Sequence, residues 1–179
     1  MYPEIELAVR EELSLTIADR LRADEIDLGL VSEIPASARQ GLELRLVASE
    51  PLVVSLPLDH RFAGVQELDF GDLRDEAFVL FPEGATIRGT FDRLTAAFGM
   101  TPHIAFVTTD TDRMCELVAL GLGVSLLPRS DAYRHRQHHA TATIRNQDLA
   151  YNVYLARRRS RSLSPAATAM TALIDRTSE

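Results

Sequence analysis

A chain of 179 residues with 46% apolar content can bury a core, as one domain or two small lobes, and this excludes a disordered segment. The net charge is −7 and all nineteen basic residues are arginine, a poor electrostatic match to a phosphate backbone, so this chain is not expected to touch DNA itself. No apolar run approaches the roughly 18 residues that cross a bilayer, the start MYPEIELAVREE has no signal-peptide character, and the lone cysteine, Cys115, excludes an internal disulfide; the chain reads as cytoplasmic, with no membrane partner.

Residues 5–9 alternate apolar and polar side chains as a strand does, and Ser14 then caps a helix that turns Ile17, Ala18 and Leu21 inward. Residues 26–31 are nearly continuous apolar sequence, the pattern of a parallel strand covered on both faces. A polar stretch, 32–41, separates this unit from two strands, 42–46 and 52–56, the second ended by Pro57. Residues 78–81 form a strand that runs through Pro82, Glu83, Gly84 and Ala85 into a helix with Ile87, Phe91, Leu94 and Phe98 on one face, stopped by Gly99. A strand over 104–107 leads through Thr109 and Asp110 into a helix carrying Met114, Leu117 and Val118. Gly121 ends that helix, and a buried strand, 124–127, is closed by Pro128. Residues 151–156 form a last strand; Ser164 and Pro165 then open a closing helix with Ala166, Ala169, Met170, Leu173 and Ile174 on one face. The alternation makes the fold class α/β.

The chemistry on offer is anion capture at helix starts, where backbone N–H groups have no partner within the helix. Ser14 stands at one such start, although ordinary N-capping explains it without a ligand; Thr86 repeats the arrangement. Asp110 reads as the cap of its helix, since its charge would repel an anion. Other candidates have blander explanations. Cys115 lies on a helix with no histidine near it in sequence and reads as a packing residue. His135, His138 and His139 form a histidine-rich loop with no carboxylate or cysteine at a metal-ligand spacing, and Asp110 with Asp112 reads as capping, so no metal is expected. The cluster 157–161 is a solvated connection, and Gly121 with Gly123 ends a helix instead of following a strand. No catalytic motif is present and no cofactor is expected.

The tandem of FVLFPEGATIRGTFDRLTAAFG, TTDTDRM and LVALGLGVSLLP, with DEIDLGL at 24–30 and EPLVVSLP at 50–57 followed by His60, resembles the effector-binding domain of LysR-type transcriptional regulators over nearly the whole chain. The resemblance implies a two-lobed fold of the type II periplasmic-binding-protein kind, each lobe a mixed, mainly parallel sheet flanked by helices, joined by two hinge strands. Residues 1–54 with 153–179 would form lobe I and residues 55–152 lobe II. It also implies a small anionic or polar effector in the interlobe cleft, with Ser14, Leu15 and Ser32 from one lobe and Ala85, Thr86, Thr109 and Asp110 from the other as effector-binding residues, and Ser14 facing Thr86. The expected function is effector sensing in a homo-oligomer, without catalysis, with DNA contacted only through a helix-turn-helix outside this chain. A periplasmic-type solute receptor and an enzyme on the same fold, such as a small-metabolite transferase or deaminase, are the alternatives. Tyr2, Pro3 and Glu4 match the point just before the family's second strand, so the strand and helix that open the family's first lobe are expected to be missing. Strands at 5–9 and 26–31 would then flank a gap, leaving Leu7, Val9, Leu28 and Leu30 short of backbone partners.

Overall fold

The computed structural model describes residues 5–177, and the chain divides into two units, residues 1–49 with 152–179 and residues 50–151. Tyr2, Pro3 and Glu4 lie outside the described residues.

In the first unit, α1 (Ser14–Arg22) buries Ala18 and Leu21, with Ile17 partly covered, as the spacing predicts. These side chains meet Val31, Ile34, Ala38, Leu42 and Ala156 in one apolar cluster. The strand expected over 26–31 shrinks to β1 (Gly29–Val31), because Asp27 and Asp24 are drawn out to Arg161, at 3.4 and 2.8 Å. Gly29 permits a close approach: a Cβ there would stand 2.4 Å from Cγ2 of Ile17. β1 runs antiparallel to β8 (Ala150–Arg158), and β8 is followed in the strand order by β2 (Leu42–Pro57). Among the described residues β1 is therefore an edge strand, with Leu30 half exposed, and the expectation of a parallel strand covered on both faces fails.

Residues 5–13 form neither strand nor helix, so the strand expected at 5–9 is absent. Alternation is only a local signal, and a strand persists where a neighbour completes its ladder. Leu7 and Val9 are accordingly 61% and 79% exposed. The expected gap between two strands thus gives way to a single short edge strand. α5 (Pro165–Thr177) begins where Ser164 and Pro165 predict, with Ser164 Oγ accepting from the Ala167 N–H at 3.1 Å.

The two strands expected at 42–46 and 52–56 are one continuous strand, β2, which passes from the first unit into the second and ends at Pro57. In the second unit β2 pairs antiparallel with β6 (Ser125–Pro128) on one side and with β7 (His139–Ile144) on the other. β3 (Glu67–Leu68) adds parallel to β7, β4 (Ala77–Leu80) pairs parallel with β5 (His103–Val107), and a parallel bridge joins Phe78 to Val124 beside β6. The sheet is buried on both faces. Leu52, Val54 and Leu56 pack with Phe78, Leu80 and the Ile87, Phe91 and Leu94 face of α2 (Thr86–Ala97). Val53, Val79 and Leu127 pack against Met114, Cys115 and Val118 of α3 (Thr111–Ala119) and against Ala132 of α4 (Arg129–Arg134). Each large apolar side chain buried here contributes about 1.5–3 kcal/mol. The histidine-rich loop is also corrected: His139 opens β7 and is 2% exposed, because α4 closes over it.

Candidate functional site

The helices of the described chain start in two different ways. Asp110 caps α3, its carboxylate accepting from the Arg113 N–H at 3.1 Å, and Ser164 caps α5. Glu50 serves α4 from β2, accepting from the N–H and the hydroxyl of Ser130 at 2.7 and 2.9 Å. At α1 and α2 the N-cap residues are Leu13 and Ala85, whose side chains carry no acceptor. At α1 and α2 the N-cap residue itself thus supplies no side-chain cap, and these are the two helices the sequence marks for anion capture.

Ser14 is the first residue of α1 and not its cap, which corrects the capping reading. Its Oγ accepts from the Ser32 N–H at 3.0 Å and lies 2.9 Å from Ser32 Oγ, so the hydroxyl serves the end of β1 and not its own helix. Ser32 is buried, at 8% exposure, whereas Leu15 beside Ser14 is exposed. The structure therefore joins Ser14 and Ser32 in one hydroxyl pair at the head of α1, with Leu15 at its margin.

In the second unit, Thr86 opens α2 just after Ala85, both half-buried. Arg88 holds the loop before them. It donates to Asp92 at 2.9 Å and to the Phe81 carbonyl at 3.4 Å, and stands 3.9 Å from Glu83. Thr109 and Asp110 follow β5 and are exposed; the Asp110 N–H is held by Thr108 Oγ1 at 3.1 Å. With Phe106, Arg113 and Leu117 these two line a concavity of about 520 Å³. The Asp110 carboxylate is engaged in capping α3. Sequence reasoning missed Glu50 as the acceptor for α4, because the contact joins residues 80 positions apart.

No group of three or more His, Cys, Asp or Glu side chains that could hold a metal occurs among the described residues. Asp112 instead meets His135 Nε2 at 3.0 Å, tying α3 to the residue after α4. Burial, with Asp131 and Asp112 adding to it, pushes the Cys115 thiol up to about 11, so this cysteine stays protonated at neutral pH. No described helix is long and apolar enough to cross a membrane.

Residues 1–178 match the family described as LysR substrate binding domain. The chain is 30% identical over 129 residues to the transcriptional dual regulator GltC of Bacillus subtilis (strain 168), covering 72% of this chain and 43% of that protein. To the HTH-type transcriptional regulator CatR of Pseudomonas putida it is 29% identical over 183 residues, covering 98% of this chain and 60% of that protein. It thus spans about half the length of the curated relatives it matches. Among solved structures it shares its fold with the regulatory domain of Synechocystis PCC6803 CcmR in complex with 2-PG, at a TM-score of 0.85 and 23% identity, over 99% of this chain and 86% of that one. The effector binding domain of QuiR in complex with shikimate gives a TM-score of 0.84 at 21% identity, over 99% of this chain and 83% of that one. With that match along residues 1–178, the chain belongs to the LysR substrate-binding domain family.

Proposed function

We propose that this chain is the effector-sensing part of a LysR-type transcriptional regulator, that its effector is a small anionic or polar metabolite, and that Ser14, Leu15 and Ser32 together with Ala85, Thr86 and Thr109 are the effector-binding residues, with Asp110 beside Thr109 serving as the cap of α3. The full regulator acts as a homo-oligomer, and its DNA contacts are made outside this chain. The observation that carries the reading is the pair of helix starts, α1 and α2, whose N-cap residues have no side-chain acceptor while α3, α4 and α5 are each served by one. A carboxylate or phosphate presented to such a start gains roughly 0.3–1 kcal/mol when exposed and up to about 2 kcal/mol when partly buried. Relatives with known ligands fit the same chemistry: the QuiR domain is in complex with shikimate and the CcmR domain with 2-PG.

The protein is a binder and not a catalyst in this reading. Cys115, the strongest potential nucleophile, is buried and protonated, and the candidate residues contribute hydroxyls and one carboxylate already spent on capping. A thermal-shift screen of small carboxylates and phosphates, opening with shikimate, 2-PG and benzoate, tests it. The expected result is a concentration-dependent rise in melting temperature for at least one of them, reduced in Ser14→Ala and Thr86→Val. A hit unaffected by both substitutions would move the site elsewhere.

A further inference from the structure

The face of the second-unit sheet that α3 and α4 cover is not wholly apolar. Leu52, Val54 and Leu56 of β2 belong to the opposite core, so Val53, Ser55 and Pro57 point toward α3 and α4. Ser55 stands directly opposite Ser125 of β6 and Thr141 of β7, and His139, opposite Pro57, is its diagonal neighbour. Ser55, Ser125 and His139 are 0%, 2% and 2% exposed.

The hydrogen bonds made by these side chains leave specific atoms over. His139 Nε2 lies 2.7 Å from the Ala132 carbonyl. A carbonyl only accepts, so Nε2 carries the proton and Nδ1 is a bare acceptor. Ser125 Oγ donates to Met114 Sδ at 2.9 Å, which leaves the lone pairs of that oxygen. Neither Ser55 Oγ nor His139 Nδ1 has a protein partner, and both are buried. A buried polar group left unmade carries its full desolvation cost, and a buried water that makes about three hydrogen bonds is the usual remedy. Diagonal neighbours on paired strands stand about 7–8 Å apart at the backbone and less at the side chains that reach toward each other, and two hydrogen bonds of about 2.8 Å that meet at one water span about 4.5 Å between the bonded atoms.

We infer that this face binds one internal water molecule, which donates to His139 Nδ1, hydrogen-bonds Ser55 Oγ and takes Ser125 Oγ as its third partner. The water fastens β7, and through the His139 to Ala132 bond also α4, to the central strand β2.

A crystal structure of the chain at about 1.5 Å, together with ¹⁵N spectra of the histidine rings, tests the assignment. The expected map has one ordered water within hydrogen-bonding distance of both Ser55 Oγ and His139 Nδ1, and the spectra show the Nε2–H tautomer with Nδ1 shifted as a hydrogen-bonded acceptor. In Ser55→Val the water is lost and the Nδ1 resonance moves to the position of a free acceptor. Should that variant not fold, wild-type protein still decides the matter: a water-to-protein Overhauser transfer to the Ser55 and His139 protons supports the site. A direct bond between Ser55 Oγ and His139 Nδ1, or an empty map at Ser55 with no such transfer, overturns it.

Discussion

Ser14 and Ser32 are joined twice, Ser14 Oγ accepting from the Ser32 N–H at 3.0 Å while the two hydroxyl oxygens stand 2.9 Å apart. Removing the Ser14 hydroxyl leaves a buried backbone N–H without this acceptor. Ser14→Ala should therefore cost about 0.5–1.5 kcal/mol of stability, the net worth of such a bond. It should also weaken whichever anion the thermal-shift screen finds by about tenfold or more, the loss of a hydrogen bond to a charged group. Urea unfolding and calorimetry read the two effects separately, and unchanged affinity would remove Ser14 from the site.

Thr86 does not cap α2, since the N-cap position belongs to Ala85. The capping penalty that its position suggested accordingly drops out. Thr86→Val is expected to lower effector affinity with little change in urea midpoint. A midpoint shift as large as that of Ser14→Ala would assign Thr86 to the fold.

Gly123 has no room for a side chain: a Cβ there would stand 2.8 Å from the Ala77 carbonyl oxygen, at a φ of +157°. The same carbonyl accepts from the Val124 N–H at 2.8 Å, so it cannot move away without breaking the contact between β4 and β6. Gly123→Ala should destabilise the second unit by roughly 1–3 kcal/mol, the usual cost of overpacking. Urea unfolding followed by far-ultraviolet circular dichroism would show it.

Burial holds the imidazole of His139 below its ordinary 6.5, against the opposing effect of its bond to the Ala132 carbonyl, with His135 and His138 adding to the lowering. The unfolded chain then takes up a proton on this group before the folded chain does. Stability from this group is complete above about pH 6.5 and is lost as pH falls through the folded value. Burial with Glu50 and Asp112 raises Asp131 above 3.8, against Arg134, so this carboxyl has the opposite sign and favours the folded state in more acidic solution. Urea midpoints measured from about pH 7.5 downward should fall, and the fall should flatten in His139→Gln, whose amide can still donate to Ala132.

The basic cluster near the end of β8 is occupied within the protein. Arg157 pairs with Glu43 at 2.7 Å, Arg158 and Arg161 reach Asp24 at 3.6 and 2.8 Å, and Arg159 donates to the Leu42 carbonyl at 3.3 Å. With the net charge of −7, the chain alone should give no gel shift of duplex DNA at submicromolar concentration and physiological salt. A tight shift would place DNA contacts on this chain.

Local pattern by itself determined the helices α2, α3 and α5 and the order of strands around them. Their signals are short-range: apolar residues at helical spacing, Asp110 and Ser164 as caps, and Gly99 and Gly121 in left-handed conformations at the ends. The motif set in 78–128 was likewise legible, because strand, turn and helix there follow one another within about fifty residues. What only the tertiary structure decided are the partners. Residues 5–9 alternate correctly yet form no strand, since a ladder needs a neighbour that their own sequence does not contain. The break expected between 46 and 52 disappears because β2 is held by three other strands, β6, β7 and β8. Ser14 reads as a cap but bonds Ser32, eighteen residues away, and His139 reads as part of a solvated loop but is buried under α4. A hydroxyl or an imidazole has several possible partners of nearly equal worth, and the choice among them follows from packing that brings distant segments together.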